Sequence, residues 1–380
     1  MAEVFNLGNG NNARITGKVL ASYQDDNGNF EGVEVDNLRA SPAYEQNENG
    51  LLQEVDNDVL RIDYSDNANG EILTEGDAEQ FLEAAEDLTA VIWAKQGAGT
   101  GSVPIVTPNV TSSPIEGVMA DMVSFDLNGG ISNADLSIIN QSFNAKNGKA
   151  SFFIKANTNV RINARASTTW QAIDVTTKWQ RLDLIAENGG SVQIGLRGGV
   201  VSGSADLADV YLVGVNVTED NISSYIPYKG TRAADTGITT GDISHLINSE
   251  EGVLEVDFTI YDLNNDKRFS LGDGTATGNN VTFKIKTDGR FNFFIFAQGV
   301  QVINTEKVFD FVLGQRYSVK IKYKSGNSGV KIDDVEEFSS TTSFDIIGMD
   351  KLKYSRSDGG ADDFTGKIHE TIIYNDISNY

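Results

Sequence analysis

The sequence contains no cysteine, and only five prolines and two histidines occur among its 380 residues. Without cysteine, disulfide bonds and thiolate chemistry are excluded, so the fold depends on packing alone. No run of about 18 apolar residues occurs, and no basic segment followed by an apolar one stands at the N-terminus. We therefore expect no membrane insertion, no secretory signal and synthesis in the cytoplasm.

Positive charge is also scarce. The chain has 30 Lys and Arg against 54 Asp and Glu, which gives a formal net charge of -24. Such a protein repels the phosphate backbone of nucleic acid, so nucleic acid is not expected as a partner. The first 90 residues carry 20 Asp and Glu against 4 Lys and Arg. This acidic part either docks onto a basic partner surface or forms a solvated face that keeps the protein soluble.

The sequence is rich in residues that are typical of strands and turns. There are 38 glycines, and the dipeptides Asn49-Gly50 and Asn69-Gly70 are typical of hairpin turns. Short runs alternate apolar with polar residues, as in Val160 to Arg165, which is the period of a half-buried strand. The one predicted helix spans Thr74 to Leu88, with Asp77 as its cap. The fold class is therefore predicted as all-β.

The spacing of these runs predicts how the chain is divided. Residues 1–87 form a small, mostly β, acidic adaptor or attachment segment. Residues 88–228 follow the strand-and-turn spacing of a β-sandwich of the jelly-roll type. Residues 229–241 are a linker, and residues 242–380 show the period-2 strands of a second β-sandwich.

Three groups of short motifs follow one another along the chain. They are Arg39-Ala40-Ser41 with Leu60-Arg61-Ile62-Asp63-Tyr64; Thr176-Thr177-Lys178-Trp179-Gln180-Arg181 with Tyr225-Ile226-Pro227 and Arg232-Ala233-Ala234-Asp235; and Phe269-Ser270-Leu271-Gly272-Asp273-Gly274 with Gly366-Lys367-Ile368-His369-Glu370 and Tyr374. Their order resembles bacteriophage fibre and virion surface proteins. In those proteins a small module precedes a carbohydrate-binding-module-like jelly roll and a concanavalin A-like, laminin G-like lectin domain.

The resemblance implies a function. It points to a structural protein of the phage particle surface, a head fibre or tail fibre component that adheres to host or environmental glycans. Implied partners are other copies of the chain, as a homotrimer, capsid or tail proteins through the N-terminal segment, and glycans. The protein is then made in the host cytoplasm and located on the virion surface. Two alternatives stay open, which are a capsid decoration protein without sugar binding and a polysaccharide-degrading enzyme.

Catalytic groups are few. His245 and His369 are the two histidines, far apart in sequence, and both are interpreted as structural. A retaining glycosidase needs two carboxylates about 5 Å apart. In concanavalin A-like enzymes of the laminarinase type these lie in a Glu-x-Asp-x-x-Glu strand, which this sequence lacks. The sequence therefore predicts that the protein is not an enzyme.

Aromatic residues are the candidates for sugar contact, because flat rings stack on the C–H faces of sugars. Trp170 follows the polar stretch Ala166-Ser167-Thr168-Thr169, so we expect it to be exposed and to bind carbohydrate. Phe294, in a run of alternating phenylalanines, is predicted to be partly exposed and to be a second contact. Trp93 and Trp179 are interpreted as core residues.

One loop suggests a metal. Asp262, Asn264 and Asp266 place oxygen ligands at alternate positions, as a structural calcium ion prefers. Lys267 stands where an EF-hand loop needs glycine, so that motif is incomplete. The alternative is an Asx-rich hairpin turn. No other cofactor is expected.

Overall fold

A computed structural model describes residues 5–15, 17–24, 29–144, 147–186, 190–199, 205–219, 224–360 and 362–380. Within these residues the regular structure consists of β-strands, and no helix is found, so the fold is all-β as predicted. The described part of the chain thus has no helix with the length and apolarity that a membrane crossing needs.

The strands are numbered in chain order. The first nine are β1 Phe5–Gly8, β2 Asn12–Ile15, β3 Lys18–Gln24, β4 Phe30–Leu38, β5 Ala43–Gln46, β6 Leu52–Val55, β7 Arg61–Asp63, β8 Glu71–Thr74 and β9 Ala78–Gln80. The middle of the chain forms β10 Ala94–Ala98, β11 Ile105–Ser112, β12 Met119–Asp126, β13 Leu136–Phe143, β14 Gly148–Ala156, β15 Val160–Arg165, β16 Gln171–Val175, β17 Gln180–Ala186, β18 Gly190–Arg197, β19 Leu207–Thr218 and β20 Gly230–Arg232. The last eleven are β21 Thr236–Thr240, β22 Glu251–Ile260, β23 Lys267–Gly272, β24 Asn280–Ile285, β25 Phe291–Ala297, β26 Val300–Lys307, β27 Arg316–Lys324, β28 Ser328–Ile332, β29 Val335–Ser340, β30 Lys351–Lys353 and β31 Gly366–Tyr374.

The chain divides into two compact units. The first unit comprises Met1–Asn49, Val55–Gly76 and Ala233–Tyr380, and the second comprises Gly50–Glu54 and Asp77–Arg232. Residues 1–87, expected to form a separate adaptor, are therefore divided between the two units. The expected linker at 229–241 contains β20, which pairs with β9, and β21, which pairs with β4.

Antiparallel pairing explains why the N-terminal strands belong to the first unit. β1 pairs with β31, where Phe5 faces Ile373, and β8 pairs with the other end of β31. β4 pairs with β21, and β22 lies between β27 and β31. Phe5 and Leu7 are buried in the same core as Phe258 and Phe283. A segment that lacks a core of its own is thus stabilised by strands that are distant in sequence.

The second unit is a β-sandwich. One sheet has the order β10-β13-β18-β15-β16, and the other has the order β11-β12-β19-β14-β17, with β9 pairing with β19 and β20. Residues from both sheets share one core, including Ile162 and Ile194 from the first and Phe152 and Val210 from the second. The strands predicted in this part of the sequence are confirmed, and β15 has the predicted bounds.

The helix predicted over Thr74 to Leu88 is wrong. Residues 78–80 form β9, and the backbone then continues through bends and turns. The Gln80 side chain accepts from the Val217 backbone N–H at 2.7 Å, which anchors this segment to β19. Leu82, Ala85 and Leu88 are fully buried, so tertiary packing uses the apolar spacing that the helix prediction relied on.

A buried ionic cluster joins the motif residues of the first unit. The Asp235 cluster consists of Arg39, Arg61, Glu75 and Asp235. Arg39 Nη1 lies 2.8 Å from Asp235 Oδ1, and Arg61 contacts both Asp235 and Glu75. Both arginine side chains and that of Asp235 are fully buried. Although burial opposes the charge of Arg61, the carboxylates of Asp235 and Glu75 outweigh it and raise the pKa of Arg61.

Candidate functional site

The candidate site lies on the outer face of the five-stranded sheet in the second unit. In β18 the side chains of Val192, Ile194 and Leu196 are buried in the core. Successive side chains of a strand point to opposite faces, so Gln193 and Arg197 lie on the outer face. Gln193 directly faces Arg165 of the adjacent β15, which places Arg165 on the same face.

Trp170 lies beside these residues. It immediately precedes β16, the edge strand that pairs with β15, and its side chain is half-buried. The guanidinium carbon of Arg165 lies 4.9 Å from the Trp170 ring centroid, and that of Arg197 lies 5.4 Å from it. Both distances fit cation–π contacts. We call Arg165, Trp170 and Arg197 the Trp170 site.

Hydrogen bonds fix both arginines by their Nε atoms. Arg165 Nε donates to Gln193 Oε1 at 2.9 Å, and Arg197 Nε donates to the Asn133 carbonyl at 3.0 Å. The backbone N–H of Arg197 donates to Asn163 Oδ1 at 3.0 Å, which ties this end of β18 to β15. Burial and the nearby positive charge of Arg197 lower the pKa of Arg165. Each guanidinium is therefore held near the indole ring, although the two carry like charge.

The Trp170 site combines an aromatic ring with hydrogen-bonding side chains. The indole ring offers a flat apolar face, and its Nε1 is buried with no hydrogen-bond partner among the described residues. Gln193 lies opposite Asn140 of β13 in the strand register, so amide groups adjoin the arginines. An aromatic platform beside amides and guanidiniums suits a ligand that has both apolar faces and oxygen acceptors.

Trp93 lies in the core as predicted, whereas Trp179 does not. Trp93 is 1% exposed and its Nε1 donates to the Ala84 carbonyl at 2.9 Å. Trp179 was expected in the core but is half-buried, because it lies in the turn before β17. Lys155 Nζ lies 4.9 Å from its ring centroid and 5.3 Å from that of Tyr211. The core prediction for Trp179 is therefore wrong.

Phe294 is not the partly exposed ring of its strand. It is 8% exposed, and the guanidinium carbon of Arg268 lies 5.7 Å from its ring centroid. Arg268 is held there by an ion pair with Asp362 at 2.6 Å. The half-buried aromatic residue of β25 is Phe296, whose ring contacts Phe294 edge-on. Phe294 is thus buried and has little accessible surface for a sugar contact.

The loop proposed to hold calcium is occupied by lysine ammonium groups. Lys267 Nζ lies 3.0 Å from Asp262 Oδ1, and Lys284 Nζ lies 2.7 Å from Asp266 Oδ2. Asp262 Oδ1 also accepts from the backbone N–H of Asn264, as in an Asx turn. Among the described residues, no group of three or more His, Cys, Asp or Glu side chains could hold a metal ion. The donor set does not fit Ca²⁺, since the ammonium groups already neutralise both carboxylates.

The two histidines lie in the first unit. His369 Nδ1 contacts Glu71 Oε1 at 2.7 Å, and His369 Nε2 contacts Thr259 Oγ1 at 2.8 Å. This hydroxyl, imidazole and carboxylate order is also found in catalytic triads. Here, however, Thr259 is 8% exposed and His369 is 7% exposed, so the hydroxyl lies inside the protein. The arrangement fits a buried network that ties β8, β22 and β31 together. His245 packs edge-on against the ring of Tyr23.

Sequence reasoning identified Trp170 but not the two arginines beside it. The alternation of Val160 to Arg165 places Arg165 on the polar face of its strand, which is a usable signal. Arg197 joins the site only because β18 is the neighbour of β15. That adjacency follows from the order of strands in the sheet, which the sequence pattern does not specify.

Comparisons with known proteins add the following findings. No protein-family model matches the sequence, and no curated protein matches it. Among solved structures, the sialidase CBM40 of Ruminococcus gnavus bound to α2,3-sialyllactose is similar at 15% identity and a TM-score of 0.32, over 36% of this chain and 85% of that one. The tandem CBM22 domains of Xyn10C from Paenibacillus barcinonensis are similar at 12% identity and a TM-score of 0.25, over 80% of this chain and 98% of that one. Sheep galectin-11 with glycerol is similar at 9% identity and a TM-score of 0.23, over 33% of this chain and 88% of that one. The fold assignment rests on the strand pairing described above.

Proposed function

We propose that this protein is a glycan-binding protein that engages sugar through the Trp170 site. The observation that carries the proposal is the half-buried indole of Trp170 on the outer face of a β-sandwich, with two guanidiniums within 5.4 Å of its ring centroid. Sugar rings have apolar faces that stack on such a ring and hydroxyls that pair with amides and guanidiniums.

Rigidity favours this site over the surface formed by Trp179, Lys155 and Tyr211. Arg165 and Arg197 are each fixed through Nε, so their remaining N–H groups are presented in a set position. At Trp179 the ring is contacted by the single ammonium of Lys155, which is a flexible point charge without planar geometry. A preorganised site loses less conformational entropy when a ligand binds.

Replacing Trp170 with alanine is expected to weaken glycan binding at least about tenfold, because a central aromatic contact supplies much of the energy of such an interface. The full chain is screened on an array of neutral and acidic glycans, and affinities for the strongest ligands are then measured by calorimetry. Trp179→Ala is the matched control, since it removes the same side chain from the other half-buried position. Equal affinities for wild type and Trp170→Ala would rule out this site.

The wider role that we propose is adhesion from the surface of a phage particle. Support comes from the motif residues that carry the resemblance, because Arg39, Arg61 and Asp235 meet in one buried cluster although they are distant in sequence. In this proposal the chain associates as a homotrimer and attaches to capsid or tail proteins through its N-terminal segment.

Antibody labelling of intact virions tests this role. Gold particles on the head or tail, together with a trimer mass for the purified protein, are the expected results. A protein that is absent from purified particles would contradict the virion role while leaving glycan binding untouched. Binding to capsids with no hit on the glycan array would instead identify a decoration protein.

A further inference from the structure

The ligand class of the Trp170 site follows from its charges. This step rests on the proposed function and concerns which glycans the site accepts. Most arginines in the described parts of the chain contact a carboxylate. On the same sheet, for example, Arg161 Nε lies 2.6 Å from Asp174 Oδ1, and in the first unit Arg316 contacts Asp257. Among the described residues, no carboxylate contacts Arg165 or Arg197.

Two guanidiniums that contact one indole ring and no described carboxylate are unusual in a protein with a net charge of -24. Acidic side chains outnumber basic ones, so a nearby carboxylate would be readily available to neutralise them. Instead, both cations are within 5.4 Å of one ring centroid. The positive charge of Arg197 lowers the pKa of Arg165, so the two cations repel one another, and a bound anion would reduce that cost.

The unused hydrogen-bonding groups of the site are all donors. Arg165 uses Nε for Gln193 and Nη1 for the Thr168 carbonyl at 3.5 Å, which leaves Nη2 without a partner in the described structure. Arg197 uses Nε, which leaves both Nη groups without one. Trp170 Nε1 also lacks a partner among the described residues but is buried, so the donors that a ligand can reach are the Nη groups. A set of donors with no acceptor calls for a ligand that supplies several acceptor oxygens.

From this geometry we propose that the Trp170 site binds an acidic sugar, with the Nη groups of Arg165 and Arg197 holding its carboxylate, sulfate or phosphate and the indole stacking on its ring. Guanidinium groups match the paired oxygens of such anions in a planar, bidentate manner. The overall negative charge of the protein does not prevent this, because charges beyond about 8 Å are screened at physiological ionic strength.

The test compares acidic glycans with neutral counterparts that lack only the carboxylate, sulfate or phosphate. Wild-type full-length protein is expected to bind the acidic members at least about tenfold more tightly, because hydrogen bonds to charged groups are stronger than neutral ones. Arg165→Gln and Arg197→Gln are each expected to reduce that preference about tenfold. Arg161→Gln is the matched control, because that guanidinium is already paired with Asp174, and it should leave the preference unchanged.

The outcomes separate the two proposals. If neutral and acidic counterparts bind equally and both bindings are lost in Trp170→Ala, the glycan site stands and the acidic class is overturned. If no glycan binds, the proposed function itself fails. Binding of inorganic sulfate alone, without any preference among glycans, would overturn the acidic-sugar assignment. Circular dichroism spectra and melting temperatures of the glutamine variants, matched to wild type, ensure that a lost preference reflects the site.

Discussion

Replacing Asp235 with alanine is expected to lower the free energy of unfolding of the first unit by about 3–5 kcal/mol. The reason is that the carboxylate lies between two buried arginines, contacting Arg39 and Arg61. Its removal takes a counter-ion from both Arg39 and Arg61. Burial of a cation costs desolvation free energy, and without its counter-ion no ion-pair attraction offsets that cost.

The backbone adds to this effect. Asp235 Oδ2 accepts from the Glu75 backbone N–H at 2.9 Å, and this hydrogen bond is lost with the carboxylate. Asn37 Nδ2 also donates to Asp235 Oδ1 at 2.9 Å. Loss of the carboxylate therefore affects three separate segments that meet at one point.

Chemical denaturation followed by circular dichroism measures this change, with Glu306→Ala as the control. Glu306 is likewise a carboxylate between two cations, Lys286 and Arg290, but its side chain is 36% exposed. Exposed ion pairs contribute little to stability, so Glu306→Ala should hardly shift the midpoint. If Asp235→Ala shifted it no more than Glu306→Ala, the structural importance of the Asp235 cluster would be refuted.

Replacing Trp93 with alanine is expected to destabilise the second unit by about 3–5 kcal/mol. Trp93 is among the largest fully buried side chains and belongs to the core shared by both sheets. Its removal opens a cavity and leaves the Ala84 carbonyl without its indole donor. The same change at the half-buried Trp170 should cost far less, because fewer contacts are lost there.

The two destabilising variants also distinguish the two units. Asp235 belongs to the first unit and Trp93 to the second. Hydrogen exchange followed by mass spectrometry should show increased exchange in β22 and β31 for Asp235→Ala, and in β14 and β19 for Trp93→Ala. Both variants increasing exchange in the same strands to the same degree would argue against two separate units.

Alternation of apolar and polar residues predicted β15 well, because the run Val160 to Arg165 has the bounds of that strand. The helix prediction for Thr74 to Leu88 failed because Leu82 and Leu88 are buried in the core of the second unit, while the Phe81 N–H and the Ala85 carbonyl hydrogen-bond to β19. The N-terminal strands were assigned to an adaptor because pairing such as Phe5 with Ile373 spans almost the whole chain.

The candidate site was predictable only in part. The polar stretch before Trp170 indicated exposure, but the burial of Phe294 depends on Arg268 and its ion pair with Asp362, which lies far away in sequence. The acidic residues of the loop at Asp262 suggested calcium because the pairing of Lys284 with Asp266 is made by a neighbouring strand. In each case a cation from another segment decides what the side chain can do.

The indole resonances of the three tryptophans test the central claim most directly. Trp93, Trp170 and Trp179 each give one indole N–H signal in a ¹H–¹⁵N spectrum, and Trp→Phe variants assign them. Adding the acidic glycan that binds best is expected to shift the Trp170 signal strongly, because the sugar stacks on that indole ring, while Trp93, hydrogen-bonded in the core, stays unchanged. A glycan that binds while the Trp170 signal stays fixed would contradict the account.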